Sequence, residues 1–252
     1  MSRFSPESPV VDHVTPSPNY GERRVARPDM LVLHYTGMPD AQAALERLCD
    51  PKAEVSAHYL VFENGKVVQL VPEARRAWHA GVSSWAGAKD INSHSIGIEI
   101  ANPGNDYDYP DFPDAQIGAV IALCRDILAR HRLRPERVLA HSDVAPARKQ
   151  DPGEKFPWEK LHAAGIGHWV KPAAIESGAV MAIGDSGPGV RALQGDLAAY
   201  GYGIAATGHY DEATAQVVVA FQRHFRPARI DGVADVSTMR TLEELLQKIP
   251  VL

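Results

Sequence analysis

The chain has 252 residues, of which 45% are hydrophobic and 23% charged, an ordinary balance that excludes a protein disordered throughout its length. Its net charge of −5 and its pI near 6.1 argue against nucleic acid as the main partner, because phosphate binding needs a basic surface. The length accommodates one domain of ~150–180 residues followed by a smaller one.

The N-terminal stretch, residues 1–28, contains five prolines, a density that predicts an extended arm on the surface of the first domain. It holds no apolar run of the ~7–15 residues that a secretory signal requires. No apolar run in the whole chain approaches the ~18 residues of a membrane span. We therefore expect a protein without a membrane span, located in the cytoplasm, with the periplasm or cell envelope as the alternative.

The first predicted elements are a strand over residues 30–36, a helix over residues 41–49, and strands 55–62 and 66–71 joined at an Asn-Gly turn. Asp40 is suited to cap the helix, because its carboxylate can accept from the free amides of the first turn. His34 stands near the end of the first strand, a position where histidines are more often structural than metal-binding. His58 lies inside the next strand, where a hydrogen-bonded core histidine is the better interpretation.

Residues 95–100 predict a strand with isoleucine at every second position and Glu99 on the opposite face. A carboxylate that projects from a central strand is rarely placed there for solubility, so a functional role is favoured. A helix over residues 114–131 and a strand over residues 137–140 follow. This order of elements predicts the α/β class, with a mixed central sheet flanked by helices.

A loop-like segment, residues 141–153, directly follows the last of these strands and carries His141, Lys149 and Asp151. Taken alone, this segment fits a surface ion pair between the lysine and the aspartate equally well. Together with His34, however, it supplies two imidazoles and one carboxylate at strand exits. Such a set is a zinc ligand set that leaves a fourth position open for water, as catalytic sites do.

Residues 178–252 contain three short amphipathic segments, which predict a small three-helix bundle as a second domain after residues 1–177. The apolar positions are Val190, Leu193 and Leu197, then Ala213, Val217, Ala220 and Phe221, and finally Thr238, Leu242 and Leu245. The bundle can serve as an anchor on a polymer, or it can pack against the first domain and shape its groove.

Five motifs in chain order carry a resemblance to a known family. They are LVLHYT around His34, VSAHYLV around His58, AWHAG around His79, NSHSIGIEI around Glu99, and HSDVAPARKQDPG from His141 onward. Together they resemble the type 2 N-acetylmuramoyl-L-alanine amidases, which are zinc hydrolases of bacterial cell-wall peptides. One departure is Ala147, where the family pattern has glycine, and it affects the expected shape of the loop. In the tail, VRALQGDLAAYGY, GHYDEATAQVVVAFQ and IDGVADVSTMRTL resemble the peptidoglycan-binding three-helix domain.

The resemblance implies one zinc ion per chain, held by His34, His141 and Asp151. It implies that Glu99 acts as the general base and that Lys149 donates a hydrogen bond to the developing oxyanion. It also implies substrate contacts from Tyr35, Trp78, His79, Ala145 and Arg148. The expected substrate is peptidoglycan or a muropeptide, cleaved by a monomer between the lactyl group of N-acetylmuramic or 1,6-anhydro-N-acetylmuramic acid and L-alanine.

Two other classes of protein are weighed against the amidase. A zinc-free recognition module of the same fold binds muropeptides without cutting them, but such modules typically lack a ligand, and this chain retains all three. A cysteine hydrolase needs an exposed thiol near a histidine, whereas Cys124 lies on an apolar stripe and Cys49 is far from it in sequence. The sequence leaves open whether the substrate is polymeric wall or a soluble 1,6-anhydro fragment.

Overall fold

The computed structural model describes residues 4–249. Its strands are β1 (His13–Val14), β2 (Tyr20–Glu22), β3 (Met30–Tyr35), β4 (Tyr59–Val61), β5 (Val67–Gln69), β6 (Arg75–Ala77), β7 (Ser95–Ile100) and β8 (Val138–Ala140). Its helices are α1 (Ala41–Cys49), α2 (Ile91–His94), α3 (Asp114–His131), α4 (His141–Val144), α5 (Trp158–Ala163), α6 (Pro188–Tyr200), α7 (Glu212–Phe225) and α8 (Val236–Gln247). None of the helices within this described part is both long and apolar enough to span a membrane.

A six-stranded mixed sheet, in the order β1-β5-β4-β7-β3-β8, forms the centre of the N-terminal part and confirms the predicted α/β class. Strand β3 lies between β7 and β8 and pairs with both in parallel, while β4 and β5 form the predicted antiparallel hairpin. In the β3–β7 register His34 lies opposite Glu99. Because parallel strands end at the same edge of a sheet, β3, β7 and β8 bring their carboxyl ends together, where α/β proteins place their sites.

Local signals set the bounds of several elements. The Asp40 side chain accepts from the amide of Ala43 and caps α1, as predicted, and Asp211 and Asp235 cap α7 and α8 in the same way. The strands of the hairpin are shorter than predicted. In the predicted proline-rich arm, β1 extends the main sheet beside β5 and β2 pairs with β6, so these segments are built into sheets; residues 1–3 lie outside the described residues.

The central strand β3 is buried on both faces. Leu31 and Leu33 belong to an apolar cluster that includes α3, whereas Met30 and Val32 belong to a second cluster that includes the C-terminal helices. All four side chains are fully buried. The unbroken apolar run before His34 follows from this arrangement, because a strand covered on both sides needs apolar residues at successive positions.

Helices α6, α7 and α8 form the predicted three-helix bundle, and they pack directly on the sheet-containing part of the chain. The buried ring of Trp85 contacts the ring of Tyr202, with 4.9 Å between ring centroids. Val144 of α4 shares one apolar cluster with Leu197 and Phe221 of the bundle. Of the two roles expected for the bundle, packing against the first part of the chain is therefore seen in the structure.

Asp143 is a fully buried carboxylate where α4 meets the bundle. One of its oxygens accepts the hydroxyl of Tyr202 at 2.7 Å. The other lies 2.7 Å from Nδ1 of His224 and accepts the amide of Ala140 at 2.8 Å. Because a buried carboxylate is stable only when donors surround it, these contacts help to specify how the bundle sits on α4.

Removing the Tyr202 hydroxyl should measurably destabilise the whole chain. In Tyr202→Phe the ring still fills its place, but the buried carboxylate of Asp143 loses a donor, a change that costs ~1–3 kcal/mol of unfolding free energy. Denaturant unfolding of the two proteins measures the difference. The matched control is Tyr20→Phe, at an exposed position where a change within about 0.5 kcal/mol is expected. Equal stability of both variants would contradict the role given to the Asp143 contacts.

Candidate active site

The three predicted metal ligands converge at the carboxyl edge of the sheet. His34 is the last residue but one of strand β3, His141 begins α4 immediately after β8, and Asp151 lies on the segment that follows α4. Nδ1 of His34, Nδ1 of His141 and Oδ2 of Asp151 lie 2.9 Å from one another in each of the three pairs. All three residues are buried. The loop predicted to start at His141 is wrong in one respect, because residues 141–144 form a short helical turn that fixes the direction of the imidazole.

The chemistry of these three atoms fits a divalent cation. Nε2 of His141 lies 3.1 Å from the carbonyl oxygen of Ala80, which can only accept, so Nε2 carries the proton. In the neutral ring, Nδ1 of His141 is then a bare lone pair that faces the carboxylate of Asp151. Two lone pairs at 2.9 Å do not form a hydrogen bond, and a cation between them relieves their repulsion. Two imidazole nitrogens and one carboxylate oxygen are a donor set that suits zinc.

Burial and neighbouring charges keep these groups in the forms that bind a metal. Burial lowers the pKa of His34 to about 4, and the nearby imidazole of His141 acts in the same direction. Burial by itself would raise the pKa of Asp151, but positive charge at the positions of His141 and His34 outweighs burial and lowers that pKa, and a bound metal ion would supply such charge while both imidazoles stay neutral. A neutral imidazole and an ionised carboxylate are the species that a metal requires.

A cavity of about 390 Å³ opens over the three ligands. Its lining includes the ligands and most of the other predicted site residues, namely Tyr35, Trp78, His79, Glu99, Arg148 and Lys149. Of the predicted substrate contacts, Ala145 differs in position: its side chain is buried, and its carbonyl oxygen accepts the amides of Arg148 and Lys149 at 3.0 Å each. Apart from Ala145, the structure therefore brings the predicted residues to one place.

Glu99 and Lys149 stand at this cavity as the candidates for proton transfer and charge stabilisation. Oε2 of Glu99 is buried and has no hydrogen-bond partner among residues 4–249. Burial, followed by the negative charge of Asp151, raises the pKa of Glu99 well above its ordinary value, while the charge of Lys149 opposes this shift. A cation at the three ligands would also oppose it, because a bound metal is the largest local charge. The orphaned carboxylate oxygen is thus available to a water molecule or a substrate proton.

The polar side-chain groups of Tyr35, Arg148 and His79, three of the predicted substrate contacts, have protein partners. The Tyr35 hydroxyl donates to Oδ1 of Asn105 at 3.2 Å, and Nη2 of Arg148 donates to the carbonyl oxygens of Ala80 and Val82 at 2.8 Å. Both ring nitrogens of His79 are engaged by other side chains. Sequence reasoning did not anticipate the contacts of His79, because the AWHAG motif indicates a residue of interest but not the direction in which its ring points.

Two predictions about side chains outside the cluster agree with the structure. His58 is a core histidine: its Nδ1 accepts the amide of Gly97 at 2.9 Å, and its Nε2 lies 3.0 Å from the carbonyl oxygen of Arg75. Cys124 is fully buried among apolar residues, and burial raises the pKa of its thiol. A reactive thiolate at this position is therefore disfavoured.

The mixed sheet, the open cluster of two histidines and one aspartate, and the glutamate beside it define an α/β protein with a candidate metal centre suited to hydrolysis. The sequence profile of the N-acetylmuramoyl-L-alanine amidases matches residues 24–154, and that of a peptidoglycan binding domain matches residues 186–242. The chain belongs to the N-acetylmuramoyl-L-alanine amidase family, and it is an amidase.

One individual relative is similar over most of the chain, and another over a shorter part that covers most of that relative. The N-acetylmuramoyl-L-alanine amidase AmiD of Escherichia coli is 41% identical over 231 residues, which cover 87% of this chain and 82% of that relative. The 1,6-anhydro-N-acetylmuramyl-L-alanine amidase AmpD of Enterobacter cloacae is 34% identical over 166 residues, covering 59% of this chain and 87% of AmpD.

Solved structures of relatives agree with these matches. The complex of E. coli AmiD with anhydro-N-acetylmuramic acid-L-Ala-D-gamma-Glu-L-Lys superposes with a TM-score of 0.76 at 38% identity, covering 91% of this chain and 98% of AmiD. AmpDh3 of Pseudomonas aeruginosa in complex with anhydromuramic pentapeptide gives a TM-score of 0.74 at 35% identity, covering 94% of this chain and 96% of AmpDh3. Because the matched regions of 91% and 94% of this chain leave few residues out, both similarities include most of the C-terminal bundle.

Proposed function

We propose that this amidase is zinc-dependent and cleaves the amide between the lactyl group of N-acetylmuramic or 1,6-anhydro-N-acetylmuramic acid and L-alanine. The observation that carries the proposal is the triangle of lone-pair atoms from His34, His141 and Asp151, with edges of 2.9 Å, beneath an open cavity. One zinc ion per chain is the expected occupant. A structural zinc site would be closed by a fourth protein ligand, whereas this set leaves a position free.

The chain's own residues divide the chemistry among them. Zinc at the three ligands would polarise the amide carbonyl and make water acidic enough to lose a proton near neutral pH. The carboxylate of Glu99 takes that proton as the water oxygen attacks the carbonyl carbon. Lys149 donates a hydrogen bond to the oxygen that becomes negatively charged. When the carbon–nitrogen bond breaks, Glu99 returns the proton to the leaving amine of L-alanine.

The substrate proposal draws on both parts of the chain. AmiD and AmpDh3 were each solved with an anhydromuramyl peptide, which supports a soluble muropeptide as one substrate. We assign residues 1–177 to the catalytic domain, with Tyr35, Trp78 and Arg148 as its substrate-facing residues. We assign residues 178–252 to a peptidoglycan-binding domain, and this second domain supports polymeric wall as a further substrate. A monomer and a cytoplasmic location stay predictions, which sedimentation and cell fractionation would test.

A non-catalytic recognition module of the same fold is the alternative. Such a module has no need for a general base, whereas Glu99 has a buried oxygen without a partner in the described part of the chain, next to all three ligands. A buried carboxylate oxygen without a donor lowers the free energy of unfolding, so the presence of Glu99 at this position favours a catalytic role.

Incubation with a soluble anhydromuramyl tripeptide tests the proposal directly. We expect two products in the mass spectrum, the intact anhydro-sugar with a free lactyl carboxylate and the intact peptide with a free L-alanine amine. Chelation of the metal should stop the reaction and added zinc should restore it. Cleavage within the peptide would contradict the bond assignment, and full activity after chelation would contradict the metal. Parallel digestion of insoluble wall shows whether the polymer is also cleaved.

A further inference from the structure

His79 lies on the side of His34 that faces away from the other two ligands. Its Nδ1 is 3.0 Å from Nε2 of His34, and its Nε2 is 3.1 Å from the hydroxyl oxygen of Ser95. The ring is buried, with an exposed fraction of 9%. His79 therefore has no ring nitrogen left for a substrate. Its ring instead connects the proposed ligand His34 to the buried hydroxyl of Ser95.

The direction of each hydrogen bond in this link follows from Ser95. Its hydroxyl lies 2.6 Å from the carbonyl oxygen of Ile91, which can only accept, so the hydroxyl proton points to Ile91. The oxygen of Ser95 then accepts Nε2–H of His79. A neutral imidazole carries a single N–H, so Nδ1 of His79 accepts Nε2–H of His34. His34 is left with a lone pair on Nδ1, the atom that faces the other ligands.

The surrounding chain is shaped to hold His79 in this place. A Cβ atom on Gly97 of β7 would stand 2.5 Å from Cγ of the His79 ring, so only glycine leaves room for it. The side-chain oxygen of Asn92 accepts the amides of His79 at 3.0 Å and of Ala80 at 2.8 Å. The carbonyl of Ala80 in turn accepts Nε2–H of His141. Residues 79–80 thus contact the outer nitrogens of both histidine ligands.

We propose that His79 is a positioning residue that holds His34 in its metal-binding tautomer, and that Ser95 orients His79 for this task. The inference rests on the proposed function only in taking zinc as the metal. In most metal sites a histidine ligand donates its outer N–H to a carboxylate, a carbonyl or water. Here a second histidine accepts it, and because histidine has two tautomers, a further group is needed to fix which one is present.

Zinc affinity of two His79 variants, measured by competition with a chelator, tests this role without reference to turnover. His79→Leu offers no acceptor to His34, and we expect its zinc affinity to fall by about 10–100-fold. His79→Asn can place its amide oxygen where Nδ1 stood, so it should recover most of the loss. The control is His168→Leu, a buried histidine that bonds to Tyr200 instead. Unchanged zinc affinity in His79→Leu, or an equal loss in His168→Leu, would overturn the proposal.

Nitrogen-15 spectra of the full-length wild-type protein provide a second readout, to which two Ser95 variants are then compared. We expect protonated Nε2 and bare Nδ1 on His79, in both zinc-loaded and zinc-stripped protein, and protonated Nε2 on His34. In Ser95→Ala the His79 ring should show both tautomers, whereas Ser95→Thr should keep one. A proton on Nδ1 of His79 in the wild type would overturn the assignment. This result stands apart from the proposed function, whose failure would instead appear as wild-type protein that binds no zinc.

Discussion

His34→Ala is expected to lose both its zinc and its turnover. The substitution removes one of three ligand atoms, and the remaining pair, His141 and Asp151, is too few to retain the ion. Metal analysis should fall from about one zinc per chain to near zero. The rate on a soluble muropeptide should fall by at least about 10³-fold, because Lewis-acid stabilisation by zinc is worth several kcal/mol.

A matched histidine separates this effect from a general loss of structure. His94 is a partly buried histidine that bonds to Asp29 instead of facing the cluster. His94→Ala should keep its zinc and its rate, and both variants should keep the unfolding transition of a folded protein. Full zinc occupancy in His34→Ala would remove His34 from the ligand set and the proposed metal centre with it.

Glu99→Gln is expected to keep its zinc and lose turnover by about 10²–10⁴-fold, the usual worth of general acid–base catalysis. The amide has nearly the shape of the carboxylate but cannot take a proton from water. Since Oε2 of Glu99 has no hydrogen-bond partner in the described part of the chain, the amide should break no protein contact. The thermal transition of the variant should therefore be no lower than that of the wild type.

Zinc content distinguishes two explanations of an inactive Glu99→Gln. Loss of zinc in proportion to activity would place Glu99 among the ligands and leave the proton transfer without a base. Glu63→Gln, at an exposed position, is the control and should behave as the wild type in both measurements. A Glu99→Gln variant with the full rate would contradict the role of Glu99 altogether.

Segments with a regular spacing of apolar residues were predictable from the sequence, because that spacing indicates which face of the element is buried. The helix over 114–131 and the Asp40 cap agree with the structure, since a helix of this length and a side-chain cap are set by local residues. The predicted hairpin strands were too long, because pairing partners and not propensity decide where a short strand ends. The helical turn at His141 was missed because it spans only four residues, and because the Asp143 side chain within it is held by Tyr202 and His224, which are distant in sequence.

What the sequence determined by itself was the proposed ligand set, because strand exits and motif order already place His34, His141 and Asp151 at the edge where neighbouring parallel strands end. Only the tertiary structure decided what stands behind those ligands. The orientation of His79 depends on the space beside Gly97, which has no side chain, and on the hydroxyl of Ser95. The position in which the bundle packs depends on the buried carboxylate of Asp143. The periodicity of one segment carries no record of such contacts, since each joins side chains from separate elements and exists only once those elements have packed.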